Sequence, residues 1–242
     1  MAGTNTALRR TATEVKNHRR IVRITWAVLG IFLAVTILTT VVSVLYSRYG
    51  SFTVTINKID NINYGLALSE TRTFDTPMAR LNYRANEGVT NISKYTLPEN
   101  LDSDEGGQHN GNNYVAYTFF LKNTGKAAMT CQYELFIVNM TNGMQDALRV
   151  RVYMNNDGEY GNVVDYAEVA ADGLPEPETK AFLTETMVTA GEIADYQPGA
   201  IKRFTIVMWL EGDDPECTDD ILGGMVKLDM NFSVLSSEGE EI

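Results

Sequence analysis

The chain has 242 residues and a formal net charge of −11, room for one domain of ordinary size with its own core. The charge is unevenly placed: residues 49–242 hold 30 Asp and Glu against 13 Lys and Arg, a net of −17. That surplus excludes DNA or RNA as a partner of this part, since phosphate contacts need clustered Lys and Arg, and it argues against adhesion to anionic lipid.

The first element is apolar. No charged residue stands between Ile24 and Ser47, and a helix needs about 20 apolar residues to cross the hydrocarbon core. Trp26 and Tyr46 suit the two interfaces, and the threonine and serine hydroxyls within the span can return to the helix backbone. Before the span lie Arg9, Arg10, Lys16, Arg19, Arg20 and Arg23 against Glu14; just after it lies Arg48. The positive-inside rule then predicts a basic cytoplasmic tail over 1–23, a transmembrane helix over 24–47 and an extracytoplasmic domain over 48–242. A cleaved signal peptide is the rival, but the apolar run is long for one and Tyr46-Ser47-Arg48-Tyr49-Gly50 offers no small-x-small site.

Beyond the helix the dominant period is two. In Ser51–Lys58, Phe52, Val54 and Ile56 alternate with polar residues, giving a strand with one apolar face. Following the anchor so closely, this strand either pairs within its own domain as an edge strand or serves as an assembly strand exchanged with a neighbour, and self-pairing is favoured. Glu99–Asn113 reads as a polar surface loop and carries His109, the one histidine on this side of the membrane. Alternation then marks strands over Tyr114–Lys122, Met129–Asn139, Leu148–Met154, Phe204–Leu210 and Val226–Val234. Turn chemistry separates several of them, as at Asn123-Thr124-Gly125, Thr141-Asn142-Gly143 and Asn155-Asn156-Asp157-Gly158. Gly173–Lys180, with Pro175 and Pro177, reads as a second surface excursion. Short helical turns are expected at Met144–Leu148 and at Thr218–Leu222, the latter stopped by Gly223-Gly224. The pattern predicts an all-β chain: an antiparallel β-sandwich or jelly-roll-like ectodomain preceded by a single transmembrane α-helix.

Two features invite chemistry. Cys131 and Cys217 both fall outside the membrane, where disulfides persist, so a bridge between them is expected. The run Glu211–Asp220 holds six carboxylates in ten positions. Asp213, Asp214, Glu216, Asp219 and Asp220 supply the oxygen ligands that calcium prefers, although the spacing is not that of an EF-hand loop. No zinc-peptidase, nucleophile-elbow or phosphate-loop pattern is present, so no catalytic residue and no other cofactor is assigned.

The segment Tyr114-Val115-Ala116-Tyr117-Thr118-Phe119-Phe120-Leu121-Lys122-Asn123-Thr124-Gly125, the run Ala147–Tyr153 and above all Trp209-Leu210-Glu211-Gly212-Asp213-Asp214-Pro215-Glu216-Cys217 resemble the TasA/camelysin-like surface proteins of Gram-positive bacteria. The likeness spans about residues 113–235. It implies a jelly-roll-like domain at the cell surface, of the kind built into biofilm-matrix fibres. The sequence therefore points to a membrane-anchored protein of the cell surface, non-enzymatic, that contacts surface proteins or copies of itself. The alternatives are an extracytoplasmic hydrolase of the camelysin peptidase kind and a calcium-dependent adhesion or ligand-binding module.

Overall fold

The structure, a computed structural model, describes residues 12–48, 51–57, 65–84, 89–103 and 106–237. It divides into two units, residues 1–48 and 49–242. The first is one helix, α1 (Ala12–Arg48), whose 37 residues span about 55 Å at the usual rise. It begins earlier than the charge-free run, because Lys16, Arg19, Arg20 and Arg23 are themselves good helix formers. The expected tail thus divides, with residues 1–11 outside the described residues and 12–23 helical. Arg20–Val41 is long and apolar enough to cross a membrane, and its apolar side chains are exposed. The hydroxyls of Thr25, Thr36 and Thr40 donate to carbonyls four residues back at 2.8–3.0 Å, which satisfies them without water.

The second unit is a sandwich of two sheets. Its strands are β1 (Ser51–Ile56), β2 (Leu66–Ser69), β3 (Arg80–Arg84), β4 (Gly107–Gln108), β5 (Tyr114–Asn123), β6 (Met129–Met140), β7 (Leu148–Asn156), β8 (Val163–Ala167), β9 (Lys180–Ala181), β10 (Met187–Tyr196), β11 (Ile201–Leu210) and β12 (Val226–Ser237). One sheet has the order β10-β6-β12-β1-β3. The other runs β2-β5-β11-β7-β8-β9, with β4 added to β5. Among the described residues all pairings between these strands are antiparallel except β1 with β12 and β8 with β9, and Ile92 adds an isolated parallel bridge to Glu211.

Each strand read from alternation is present, and its apolar face builds the core. Phe119 and Phe204 lie opposite each other in the second sheet and stack at 5.3 Å. Phe232 of the first sheet meets both edge-on, at 6.0 and 5.2 Å, and Phe52 packs against Tyr117 at 5.8 Å. Edge-to-face rings of this kind add to the stabilisation from burial alone. Asn142–Ala147 forms turns, with the Leu148 N–H donating to the Met144 carbonyl at 3.0 Å as in a single helical turn, and Asp219–Ile221 is a 3-10 turn, followed by Gly223 at a φ of 72°.

Strand β1 is not an edge strand. It lies between β12, with Phe52 opposite Leu228, and β3, with Phe52 opposite Tyr83. Phe52, Val54 and Ile56 are all buried in the core of their own domain. Phe52→Ala in the full-length chain is expected to cost about 3–5 kcal/mol, the usual range for a buried phenylalanine, in denaturant unfolding of the monomer. A strand used solely for contacts between copies would leave that measurement unchanged.

Candidate functional site

The central strands β5 and β11 of the second sheet are buried on both faces. Phe204, Ile206 and Met208 of β11 face the core, while Arg203, Thr205, Val207 and Trp209 alternate onto the outer face. Leu97 and Leu101 cover that face and form a second apolar cluster with Ala116, Tyr153, Val207 and Trp209. This corrects the surface reading of Glu99–Asn113: Leu101 is 3 % exposed, and Asp102 is buried where it accepts the Gly161 N–H at 2.8 Å and faces Arg203 at 3.8 Å. Residues 104 and 105 of that loop lie outside the described residues.

Three arginines share this outer face, and each meets a carboxylate. Arg203 faces Asp102 and lies over the Tyr160 ring at 4.2 Å. Arg151 makes a two-pronged pair with Asp165 at 2.6 and 2.8 Å and lies 5.4 Å from the Trp209 ring centre. Arg149 is 5 % exposed and binds Asp214 at 2.5 Å and Glu176 at 3.0 Å through Nη2. The Asp146 and Leu148 carbonyls accept from Arg149 Nη1, so carboxylates and carbonyls together surround the buried guanidinium.

The run from Trp209 to Cys217 knots this region together. Glu211 Oε2 accepts the Trp209 indole N–H at 3.0 Å and the Lys94 backbone N–H at 3.1 Å, and its Oε1 accepts the Asp213 N–H. Ser93 donates to Asp213 at 2.5 Å, and Ile92 pairs with Leu210 and Gly212 through the backbone. Asp214 Oδ1 accepts the Glu216 N–H, and Glu216 reaches the Ala171 N–H at 2.8 Å. These carboxylates thus tie residues 91–97 and the loop around Glu176 to the end of the sheet.

The knot leaves a cavity of about 260 Å³. Lys94, Tyr95, Trp209, Asp213, Pro177 and Pro215 are among its walls. Lys94 pairs with Glu178 and lies 5.0 Å from the Tyr95 ring centre. The Glu178 hydrogen bond raises the Lys94 pKa above its ordinary value and lowers that of Glu178.

Of the five carboxylates expected to hold calcium, Asp214 and Glu216 come together. Asp213 is exposed and bonded to Ser93, Asp214 is buried against Arg149, Glu216 is half-buried, and Asp219 and Asp220 are exposed in the 3-10 turn. Glu176, far away in sequence, joins Asp214 and Glu216, with an oxygen from each within 4.8 Å of the others. Arg149 already supplies positive charge to two of the three. Around this group carboxyl pKa values rise. Burial is the first cause at Asp146, Glu168 and Glu176, and neighbouring carboxylates add to it.

The expected Cys131–Cys217 bridge is not formed. Cys217 precedes the Leu222–Met225 segment, which bonds to Asn142 and Thr141 at the Met140 end of β6. Cys131 stands toward the other end of β6, about 30 Å from Met140 along a strand rising some 3.4 Å per residue, and a disulfide needs Cα atoms within about 7 Å. Asn91 donates to Cys217 Sγ at 3.4 Å. His109 bonds to Thr118 Oγ1 at 2.8 Å, Thr118 bonds on to buried Thr205 at 2.7 Å, and His109 is not part of the cavity wall.

No family model matches the chain, and no curated protein matches it.

Two expectations test the knot. Removing the buried Glu211 carboxylate orphans three N–H donors at about 1–3 kcal/mol each, so Glu211→Ala should destabilise by several kcal/mol in denaturant titration and Glu211→Gln by less. Glu168 Oε2 is buried without a hydrogen-bond partner among the described residues. A carboxyl pKa raised by folding stabilises the native state below the ordinary carboxylate range, and that contribution is lost as pH rises through the raised value. Glu168→Gln should therefore melt higher than the parent at about pH 7, and the gap should close toward about pH 4.

Proposed function

We propose that this chain is a membrane-anchored protein of the cell surface that acts by protein–protein contact, with the sandwich outside the cell. Assembly of surface or biofilm fibres is the process to which the TasA-like resemblance points. The observation that carries the reading is the use made of Trp209–Cys217, the run most like that family. Its carboxylates hold backbone amides, the Trp209 indole and Arg149, so they shape a rigid surface recess. An apolar helix on the same chain supports the anchoring, and the basic residues before it support an outward sandwich.

The test uses intact cells expressing the full chain. External protease should remove the sandwich and leave a membrane-held fragment. A lysine-reactive cross-linker should join the protein to surface proteins or to further copies of itself. A sandwich shielded from external protease would overturn its placement, and a protein recovered wholly without adducts would overturn the contact reading.

A further inference from the structure

We infer that the recess beside Trp209 receives one cationic side chain, a lysine or arginine presented by a partner protein. The inference rests on the contact reading above and names the chemistry of the partner.

Size is the first argument. A cavity of about 260 Å³ lies below the roughly 300–1,000 Å³ that enclose a drug-sized molecule or cofactor, and it suits one long side chain. The second is the wall. The Tyr95 and Trp209 rings and the rings of Pro177 and Pro215 present apolar surface, which matches the aliphatic stem of lysine or arginine.

Charge decides the end of that stem. The lining carries Asp165, Glu176, Glu211, Asp213 and Asp214 against Lys94 and Arg149, a net of −3. The ion-pair partners Arg151 and Glu178 add one charge of each sign and leave that balance unchanged. A concave site with apolar walls and a surplus of one sign focuses its field, so an ammonium or guanidinium is drawn in and a carboxylate or phosphate is repelled. The rim already shows the mode of recognition: the protein's own Lys94 ammonium lies over the Tyr95 ring while paired with Glu178. Tyr95 is 78 % exposed and Asp213 is exposed, so an aromatic face and a carboxylate are both available to a visitor.

The test is calorimetric titration of the full-length protein in detergent micelles with pentalysine, and with the same peptide acetylated on every side chain. Pentalysine should bind with an affinity that falls with salt, and the acetylated peptide should not bind. Tyr95→Ala should weaken binding about threefold, the worth of an exposed cation–π contact, and Asp213→Asn should weaken it by at least as much. Lys94→Gln removes an internal competitor and should tighten it; the Lys94 backbone bond to Glu211 remains. Glu192→Gln, an exposed acid on β10, should have no effect. Equal losses from Glu192→Gln and Asp213→Asn would reduce the effect to diffuse charge and overturn the inference. So would binding of the acetylated peptide, or saturable calcium binding that blocks pentalysine, which would assign the acid surplus to a metal. Absence of pentalysine binding while surface cross-links persist would overturn the inference and leave the contact reading standing.

Discussion

A sheet buried on both faces cannot leave a charged side chain on either face without an opposite charge, since a lone buried ion costs several kcal/mol. Strands β7 and β11 place Arg149, Arg151 and Arg203 on the outer face of the second sheet, under the segments that cover it. Asp214 and Glu176, Asp165, and Asp102 answer them one by one. Asp102, Glu176 and Asp214 come from separate loops and Asp165 from strand β8, so satisfying the arginines also fixes where those loops run. The apolar cluster of Leu97, Leu101 and Trp209 drives the cover onto the sheet, and the ion pairs decide its register. The recess is the space left between them.

The inner core follows a simpler rule. Period-two strands turn their aromatic residues inward, and Phe119, Phe204 and Phe232 interlock between the sheets. Strand β1 enters the first sheet between its central strand β12, to which it runs parallel, and the edge strand β3. A parallel neighbour requires a long connection, and here nearly the whole domain lies between the two strands. The strand nearest the helix in sequence is therefore integral to the sandwich, since removing it would separate β3 from β12 and open the aromatic core beneath.

A carboxylate holding two or three backbone or side-chain N–H groups is fixed in position by them. Glu211 and Asp214 are in that state. Rigidity is useful in a surface that recognises another protein, because little conformational freedom remains to be lost on contact. The acidic run, the covering loop and the recess can thus be understood together as one shaped surface.

What the sequence determined by itself is whatever depends on local period and local charge. The apolar run of α1, the strands β1, β5, β6, β7, β11 and β12, and the turn closed by Gly223 are legible because side-chain alternation and turn residues act within a few positions. Strand β10 escaped that reading for a physical reason: bulges near Met187–Thr189 and Ile193–Tyr196 shift its pairing, so buried Val188, Ile193 and Tyr196 do not keep one parity. The short strands β2, β4 and β9 are defined by their partners and carry too few residues to show a period. In the site, the Trp209–Cys217 run stood out by composition, yet its chemistry depended on residues far away in the chain. Arg149, Glu176, Lys94 and Tyr95 carried no local signal, and only the tertiary structure brought them to Asp214 and Trp209. The same holds for the cysteines: both stand beyond α1 in sequence, but the length of β6 keeps them apart, since pairing of thiols is a matter of distance in space and that distance is set by the sheet.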